Sequence, residues 1–287
     1  MLEDFAVFIL SHGRANNVIT YKTLKRDGYT GRIYIIIDNE DAQADQYYQH
    51  FGNKVIIFDK AKKAQDTDTG DNFNGMQIVV FARNACFDIA KSLGLEYFMV
   101  LDDDYTSLRY KTDSNFNYID REVLSTDTIF SLLLNFYKSI DCYSLAIAQG
   151  GDFIGGKWNK DPFRVRRKVM NSFICSTSRP FNFFGRINED VNVYTSLGNK
   201  GKLFLTFPMV AIQQIQTQQN NGGLTDIYLE MGTYVKSFYT IMYQPSSTKI
   251  ALMGVIHERL HHLINWDCTV PCIISEKYRK IEPVKAG

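Results

Sequence analysis

The first half of the chain alternates short apolar runs with amphipathic stretches. The apolar runs are brief, rich in β-branched or aromatic residues and bounded by turn residues, which predicts buried strands. The stretches between them have helical spacing, and Gly28, Gly52 and Gly94 stand where helix C-caps belong. This alternation predicts an α/β fold with a largely parallel sheet. The predicted strands are Phe5–Leu10, Arg32–Ile37, Lys54–Phe58 and Tyr97–Leu101, and the predicted helices are Ala15–Arg26, Asp41–Phe51 and Val79–Leu93.

The second half is less regular and shows no internal repeat. Two polar stretches, Ala61–Asn74 and Gln213–Gly223, are interpreted as surface loops, with an active-site lid as the alternative for either one. Apolar spacing still predicts several elements. They are the helices Asp127–Ile140, Asp190–Leu197 and Asp226–Thr240 and the strands Ser144–Ala148 and Leu203–Phe207.

Composition and charge narrow the class of protein. The 287 residues are 45% hydrophobic, and 32 Lys and Arg against 31 Asp and Glu give a net charge of +1. This balance excludes extensive disorder and a globally basic nucleic-acid binder, but it leaves a local basic patch open. No apolar run approaches the roughly 20 residues of a membrane span, and the start MLEDFAVFILSHGR is interpreted as a first strand rather than a signal peptide. We expect a cytoplasmic protein with reduced cysteines, no membrane contact and no obligate protein partner.

Three adjacent aspartates, Asp102, Asp103 and Asp104, follow the predicted strand Tyr97–Leu101. Ligands of open α/β sheets bind beyond the carboxyl ends of the strands. Three neighbouring carboxylates repel one another, and a divalent cation that also binds phosphate oxygens would relieve this repulsion. The alternative is a solvated acidic turn, since Asp is common in turns.

Two other predicted strands end in polar residues that reach the same edge if the strands are parallel neighbours. Ser11, His12, Gly13 and Arg14 follow the first strand, and Asp38 ends the second. Gly13 permits close approach of a ligand to the backbone, and Arg14 at a helix start could meet a phosphate. The alternative is that these residues are ordinary helix caps and first-turn charges.

A family resemblance rests on several sequence pieces. The run ARNACFDIAKSLGLEYFMVLDDD (Ala82–Asp104) resembles the signature of nucleotide-sugar glycosyltransferases with the GT-A fold. The whole chain resembles the TET-associated glycosyltransferases of bacteriophages and related elements. The matching pieces span nearly the full length. The further pieces are FILSHGRANNVIT (Phe8–Thr20), GYTGRIYIIIDNED (Gly28–Asp41), INEDVNVY (Ile187–Tyr194), GTYVKSFY (Gly232–Tyr239) and RLHHLINW (Arg259–Trp266).

The resemblance implies a fold and a domain organisation. We expect a single GT-A-like domain over residues 1–287, with a central mixed, mostly parallel sheet flanked by helices. The nucleotide-sugar-binding half would run to about residue 148, and the acceptor-binding and catalytic half would follow from about residue 149. The family is thought to transfer sugars onto hydroxymethylated pyrimidines in DNA.

The resemblance also implies residue roles at the donor site. Asp38 would face the nucleotide base, Arg83 and Asn84 would lie by the uridine or ribose, and Asp102 would contact the ribose. Asp104 would be the principal ligand of Mn²⁺ or Mg²⁺, with Asp102 and a late histidine, His261 or His262, completing the metal site. The donor would be a UDP-sugar. The whole nucleotide-sugar set is Ser11, His12, Gly13, Arg14, Asp38, Arg83, Asn84, Asp102 and Asp103.

The pair Glu189 and Asp190 stands at a predicted helix start and resembles the acidic motif that supplies the general base of inverting GT-A enzymes. A carboxylate suits this task because it can take the proton of the acceptor hydroxyl, and Asp190 is the predicted base. The alternative is favourable negative charge in the first turn of a helix.

A second motif is typical of a different class of enzyme. The residues His257-Glu258-Arg259-Leu260-His261 match H-E-x-x-H, the zinc-protease helix motif. No H-x-x-G-x-x-H extension follows it, although Glu276 or Glu282 could supply a third ligand. The protease interpretation is disfavoured, because the preceding two thirds of the chain have the pattern of a nucleotide-binding α/β protein.

The segment from Lys157 to Arg186 is locally basic, with eight Lys and Arg against Asp161 alone. Cations for phosphates and rings for stacking are what a nucleic-acid surface needs, and the alternative is a solvated edge strand with its rings in the core. The resemblance favours DNA. The basic residues are Lys157, Lys160, Arg164, Arg166, Arg167, Lys168, Arg179 and Arg186, and the interleaved rings include Phe173, Phe181, Phe183 and Phe184.

Together these observations predict a metal-dependent glycosyltransferase. It would move a sugar from a UDP-type donor to 5-hydroxymethylcytosine or 5-hydroxymethyluracil in DNA. Three alternatives stay open: the same enzyme class with a glycan or protein acceptor, a metal-dependent nucleotidyltransferase, and a non-enzymatic DNA-binding or structural phage protein.

Overall fold

A nine-stranded sheet forms the centre of the protein. The computed structural model describes residues 3–73, 75, 78–149, 171–215, 233–253 and 259–270. The strand order is β3-β2-β1-β4-β8-β7-β9-β5-β6. The strands are β1 (Phe5–Leu10), β2 (Arg32–Asp38), β3 (Val55–Phe58), β4 (Tyr97–Asp102), β5 (Tyr105–Thr112), β6 (Tyr118–Glu122), β7 (Ser144–Gln149), β8 (Ser172–Ser176) and β9 (Phe204–Gln214).

The sheet is mixed, and β5 and β8 run opposite to the other seven strands. The first four strands in sequence form a parallel block, in which β1 lies between β2 and β4. This arrangement confirms the predicted α/β class with a mixed central sheet. Four of its eight strand pairs are parallel and four are antiparallel, so the sheet is less parallel than predicted. The arrangement also brings the carboxyl ends of β1, β2 and β4 to one edge, because parallel neighbours end on the same side.

Helices cover both faces of the sheet. They are α1 (Ile19–Arg26), α2 (Ala44–Phe51), α3 (Lys60–Gln65), α4 (Val79–Ser92), α5 (Thr126–Ser139), α6 (Glu189–Asn199) and α7 (Lys236–Tyr243). Alternate residues of β1 enter two apolar clusters, as expected for a strand buried on both faces. Val7 packs in the cluster that α1, α2 and α5 cover, and Phe8 packs in the cluster that α4 and α6 cover.

A separate antiparallel hairpin, β10 (Thr248–Met253) with β11 (Arg259–Ile264), lies beside α7. Within the described residues, no helix is both long and apolar enough to cross a membrane. Cys86, Cys142, Cys175 and Cys268 are free thiols, the first three of them buried.

The predicted strands and helices of the first half are confirmed with small shifts at their ends. Two helices begin later than predicted, α1 at Ile19 and α2 at Ala44, because the residues before them form the loops at the sheet edge. The interpretation of Ala61–Asn74 as a loop is wrong over its first five residues, since they belong to α3. The sequence pattern missed β5, β6, β8 and both hairpin strands. Gln213 and Gln214 belong to β9, so the interpretation of Gln213–Gly223 as a loop is wrong for these two residues, and 216–223 lie outside the described residues. The end of the predicted helix Asp226–Thr240 lies in α7, which begins at Lys236, whereas 226–232 lie outside the described residues.

Candidate active site

Asp103 joins the ends of β1 and β4. Leu10 is paired with Asp102, so the residues that follow each strand meet at the edge. The Oγ of Ser11 donates to Oδ2 of Asp103 at 2.5 Å, and Nη1 of Arg14 donates to Oδ1 at 2.8 Å. Burial raises the pKa of Asp103, while Arg14 and Ser11 act against this increase. The structure therefore gives Asp103 an internal role: it connects the loop after β1 to β4.

Tyr47 of α2 supports the same loop. Its Oη lies 2.7 Å from Oγ of Ser11 and accepts a hydrogen bond from the backbone N–H of Arg14 at 2.9 Å. Burial is the main cause that raises the pKa of Tyr47, to about 12, so the phenol is protonated at neutral pH. Sequence reasoning missed Tyr47, since one tyrosine in an amphipathic helix gives no functional signal.

Arg14 is not at a helix start, in contrast to the prediction. The helix α1 begins five residues later at Ile19, and the Arg14 side chain bonds to Asp103. Gly13 matches its expected role more closely. It has φ +66°, its N–H donates to Oδ2 of Asp41 at 2.8 Å, and the position of a Cβ atom there lies in open space. The backbone at Gly13 is therefore accessible to a ligand.

His12 and Asp38 form an ion pair at the neighbouring strand end. Nδ1 of His12 lies 2.7 Å from Oδ2 of Asp38, and Nζ of the buried Lys60 lies 3.3 Å from Oδ1. The hydrogen bond to Asp38 raises the pKa of His12. Burial acts to raise the pKa of Asp38, but His12 and Lys60 outweigh it and the net pKa is lowered. Asp38 is thus a carboxylate within the protein, and His12 is the more exposed member of the pair.

Asp102 and Asp104 are the carboxylates of the triplet that fit a cation. Oδ1 of Asp104 is buried without a hydrogen-bond partner. Burial, together with the neighbouring carboxylates, raises the pKa of Asp102 to about 7 and that of Asp104 to about 6, although Arg83 acts against the increase at Asp102 and Arg14 at Asp104. Partly exposed carboxylates, one of which has a buried oxygen without a hydrogen-bond partner, are ligands that a hard divalent ion takes. Within the described part of the chain, however, no three His, Cys, Asp or Glu side chains form a complete metal-binding group.

Arg83 lies beneath these aspartates. Its side chain is 2% exposed, with Nη2 3.5 Å from Oδ1 of Asp102 and Nη1 3.3 Å from Oε1 of Glu189. The guanidinium also lies over the rings of Phe173 and Phe183, at 4.9 and 5.6 Å from their centroids. The expected position of Arg83 by the uridine or ribose stays a prediction, and the structure encloses its side chain in protein.

Asn84 bonds to the segment that leads to α6. Its Nδ2 donates to the carbonyl of Phe183 at 2.9 Å and to Oγ1 of Thr67 at 3.1 Å, and its Oδ1 accepts from the N–H of Phe183 at 2.7 Å. The side chain is buried, and these three bonds explain why an asparagine stands there. Its expected position beside the nucleotide stays a prediction.

Glu189 and Asp190 begin α6, as the sequence predicted, and both are buried. Burial raises the pKa of Glu189, and Arg83 opposes this increase. Asn188, the residue before the helix, has the left-handed φ of 57°, and its Nδ2 donates to the carbonyl of Lys236 at 2.6 Å. A non-glycine residue in this conformation is strained, and such strain is concentrated at functional sites.

The two candidate metal histidines lie on opposite faces of β11, since successive side chains of a strand alternate. His262 is buried, and its Nδ1 lies 3.4 Å from Nδ2 of Asn188. Nδ1 of His261 lies 2.8 Å from the carbonyl of His262. Neither joins Asp102 and Asp104 in a metal-binding group in the described residues. His262 instead contacts the residue that precedes the acidic pair.

The zinc-protease alternative is contradicted by the structure. The motif requires two histidines on one face of a helix. Its residues Arg259 to His261 lie in the strand β11, whereas His257 and Glu258 lie outside the described residues.

Most of the Lys and Arg residues of the basic segment lie outside the part of the chain that the structure describes. Lys157, Lys160, Arg164, Arg166, Arg167 and Lys168 all lie outside the described residues. The remaining members contact protein groups: the partly exposed Arg179 stacks on Tyr137 and contacts Asp141, and Arg186 is buried against Asp71. The rings of Phe173, Phe181 and Phe183 are core residues. The expectation of a DNA-stacking surface is therefore wrong for these three rings.

The comparisons with known proteins identify the class. The family described as TET-Associated Glycosyltransferase matches residues 5–223, well over half of the chain. The protein is a glycosyltransferase, and it belongs to the TET-associated glycosyltransferase family. No curated protein shows a significant sequence match.

Solved structures with similar chains are distant in sequence. Glucosyl-3-phosphoglycerate synthase from Mycobacterium tuberculosis, in complex with Mn²⁺, UDP and phosphoglyceric acid, is 7% identical, with a TM-score of 0.45 over 91% of this chain and 86% of that one. A mannosyltransferase from Pyrobaculum calidifontis, in complex with GDP-Man and Mn²⁺, is 9% identical, with a TM-score of 0.46 over 75% of this chain and 58% of that one. The family assignment rests on the sequence match.

Proposed function

We propose that the protein is a metal-dependent glycosyltransferase that moves a sugar from a UDP-sugar to the hydroxymethyl group of 5-hydroxymethylcytosine or 5-hydroxymethyluracil in DNA. One observation carries the proposal: at the carboxyl edge of the sheet, Asp102 and Glu189 both lie within 3.5 Å of Arg83, and Asp104, two residues after Asp102, has a buried oxygen without a hydrogen-bond partner. Family membership supports the reaction class. The basic segment 157–168 of the sequence supports the DNA acceptor, and we expect a cytoplasmic location.

The donor would be held where three strand ends meet. The nucleotide is proposed to lie against the loop from Ser11 to Arg14, with its base towards His12 and Asp38. A divalent ion, Mn²⁺ or Mg²⁺, would be held by Asp104 and Asp102, and when bound it would neutralise the charge that develops on the diphosphate leaving group. The part of the chain to about residue 148 would thus supply the donor site, and the part from about 149 the acceptor site.

The acceptor would be activated from α6. In an inverting reaction, the carboxylate of Asp190 takes the proton of the hydroxymethyl group as its oxygen forms a bond to the sugar and the bond from the sugar to the diphosphate breaks. Asp190 is buried in the first turn of α6. His261 and His262 remain candidates for the last metal position by resemblance alone.

The test is a mass analysis of intact nucleosides. DNA containing 5-hydroxymethylcytosine or 5-hydroxymethyluracil is incubated with the protein, Mn²⁺ and a panel of UDP- and other nucleotide-sugars. A nucleoside heavier by one sugar is the expected result. Asp104→Ala should abolish this product, whereas Asp45→Ala, a change of an exposed aspartate on α2, should leave it unchanged.

Two other results are informative. If no donor gives a product while UDP still binds with Mn²⁺, the acceptor is a glycan or a protein and the DNA proposal is wrong. If UDP does not bind either, the donor assignment is wrong as well. A product that persists in Asp104→Ala would remove the proposed metal site.

A further inference from the structure

Arg83 is a buried cation that contacts both halves of the proposed site. It lies on α4, Asp102 ends β4 in the donor part, and Glu189 begins α6 in the acceptor part. The two carboxylates approach different nitrogens of one guanidinium, at 3.5 and 3.3 Å. The planar guanidinium of an arginine has separate nitrogens for the two carboxylates, whereas the single ammonium of a lysine does not reproduce this double contact.

The environment of Arg83 separates it from the nucleotide. Its side chain is 2% exposed, whereas that of Asp102 is 27% exposed, so Asp102 is the member of the pair that solvent reaches. The rings of Phe173 and Phe183 lie against the guanidinium. A ligand at the strand ends therefore meets Asp102, and Arg83 acts from behind it.

Hydrogen bonding does not explain why the charge is buried. Nε of Arg83 is buried without a hydrogen-bond partner, and Nη1, although it lies 3.3 Å from Oε1 of Glu189, makes no hydrogen bond. A buried cation with unmet donors is costly, and its contribution to stability is small compared with an apolar side chain of similar volume. Its position between a donor-side and an acceptor-side carboxylate suggests a task in the reaction.

We infer that Arg83 is a positioning residue that fixes the first turn of α6 through Glu189, and thereby places Asp190 opposite the donor held at Asp102. This inference rests on the proposed function. Arg83 then contributes to the transfer step and not to nucleotide affinity, which reverses the role that the resemblance implied.

The first variant is Arg83→Lys, which keeps a buried positive charge and removes the double contact. We expect the affinity for UDP in the presence of Mn²⁺, measured by calorimetry, to change by less than about threefold. The kcat for release of UDP from the donor should fall by about a hundredfold with little change in the donor KM, because a misplaced general base affects the transition state.

A matched control is available at another buried cation. Lys111 lies 3.0 Å from Asp120 and 5.8 Å from the ring of Tyr118, so it also combines a carboxylate and an aromatic partner. It lies on β5, away from the carboxyl ends of β1, β2 and β4. Lys111→Arg, a cation exchange of the same kind, should leave kcat unchanged.

A double variant tests whether Arg83 acts through Glu189. If it does, Arg83→Lys combined with Glu189→Gln should be about as slow as the slower single variant, because the two residues act as one unit. If the reductions in kcat of the two single variants multiply in the double variant, the inference is wrong. A loss of UDP affinity that parallels the loss of kcat would also overturn it, since Arg83 would then be a nucleotide contact.

The design separates this inference from the proposed function. UDP binding and donor hydrolysis require no DNA, so a wild-type protein that hydrolyses the donor but modifies no DNA disproves the acceptor and still tests Arg83. If the wild type does not turn over any donor, urea unfolding of Arg83→Met, Glu189→Gln and the double variant decides. Additive losses of stability would then refute the Arg83–Glu189 connection, and a double variant more stable than Arg83→Met would support it.

Discussion

The guanidinium of Arg186 and the carboxylate of Asp71 form an ion pair at 2.8 Å across 115 residues of sequence. Arg186 also donates to the carbonyls of Phe73 and Gly75, and Oη of Tyr239 donates to Oδ2 of Asp71 at 2.5 Å. The loop after α3 is thus attached both to the residues preceding α6 and to α7. A freely moving lid, one interpretation of Ala61–Asn74, does not agree with these contacts.

The Asp71 network predicts a pH-dependent stability. Burial acts to raise the pKa of Asp71, but hydrogen bonds from Arg186 and Tyr239 outweigh it and lower the net pKa. The stabilisation is therefore fully present above the unfolded pKa of about 3.9, and it is lost as the pH falls through the lower folded value. At pH 7 the wild type should be more stable than Asp71→Asn, and below pH 4 the two should converge. Urea unfolding between pH 2 and 7 measures this, and a difference independent of pH would contradict it.

A glycine next to the same network provides a second prediction. Gly185 has φ +88°, and an added Cβ would collide with the amide of Asn192 and lie 2.9 Å from a ring carbon of Tyr243. Gly185→Ala should therefore lower the free energy of unfolding by roughly 3 kcal/mol, the sum of a strained φ and a steric clash.

Gly201→Ala is the control for Gly185→Ala. Gly201 has a similar φ of +84°, but nothing lies within 4 Å of its added Cβ. Only the conformational term remains there, so the loss should be about 1 kcal/mol. Equal losses at the two sites, measured by chemical denaturation, would show that the clash near Asn192 is unimportant.

A substitution of Asp104 should have opposite effects on metal binding and on the stability of the metal-free protein. The buried Oδ1 of Asp104 has no hydrogen-bond partner and the neighbouring Asp103 carries like charge. In metal-free buffer, Asp104→Asn should raise the free energy of unfolding by about 1 kcal/mol, a small value because part of the carboxylate reaches solvent. The same variant should lose the extra thermal stability that Mn²⁺ gives the wild type. A destabilised metal-free variant would be contrary to this account.

Two substitutions of Asn188 should separate the effect of its backbone conformation from the effect of its side-chain hydrogen bonds. Asn188→Ala removes the bonds to Lys236 and Thr240 and leaves a Cβ in the left-handed region, so we expect a loss of about 2 kcal/mol. Asn188→Gly loses the same bonds but relieves the backbone, and it should be more stable than the alanine variant by about 1 kcal/mol. Thermal unfolding of both variants measures this, and the reverse order would mean that the φ of 57° is not strained.

The sequence predicted most of the parallel block and the edge where ligands would bind. Short apolar runs, separated by helical stretches that end in glycine, predicted β1 to β4. The polar residues after β1, β2 and β4 lie at one edge of the sheet, as expected. The later strands were harder to predict. For example, Tyr105–Thr112 mixes polar and apolar residues because β5 lies near one edge of the sheet, between β6 and β9.

The functional roles of the site residues stay predictions, and the contacts between these residues could not be predicted from the sequence. No local pattern shows that Asn84 bonds to Phe183, 99 residues away, or that Arg83 meets Glu189. Such contacts depend on how α4 packs against the segment before α6, which is a property of the tertiary structure. The role of the two histidines of β11 stays a prediction, and that they lie on opposite faces becomes visible only once the segment is known to be a strand.

The position of β8 in the sheet has a consequence for how the chain folds during synthesis. This strand comes from the second half of the sequence, yet it lies between β4 and β7 of the first half. When a ribosome has synthesised only the first 148 residues, β4 lacks one neighbour and β7 lacks both, because β9 also follows later in the sequence, and unpaired strand edges promote aggregation. The nascent chain thus has to wait for β8, and a fragment that ends near residue 148 should accumulate as insoluble protein rather than as a nucleotide-binding unit.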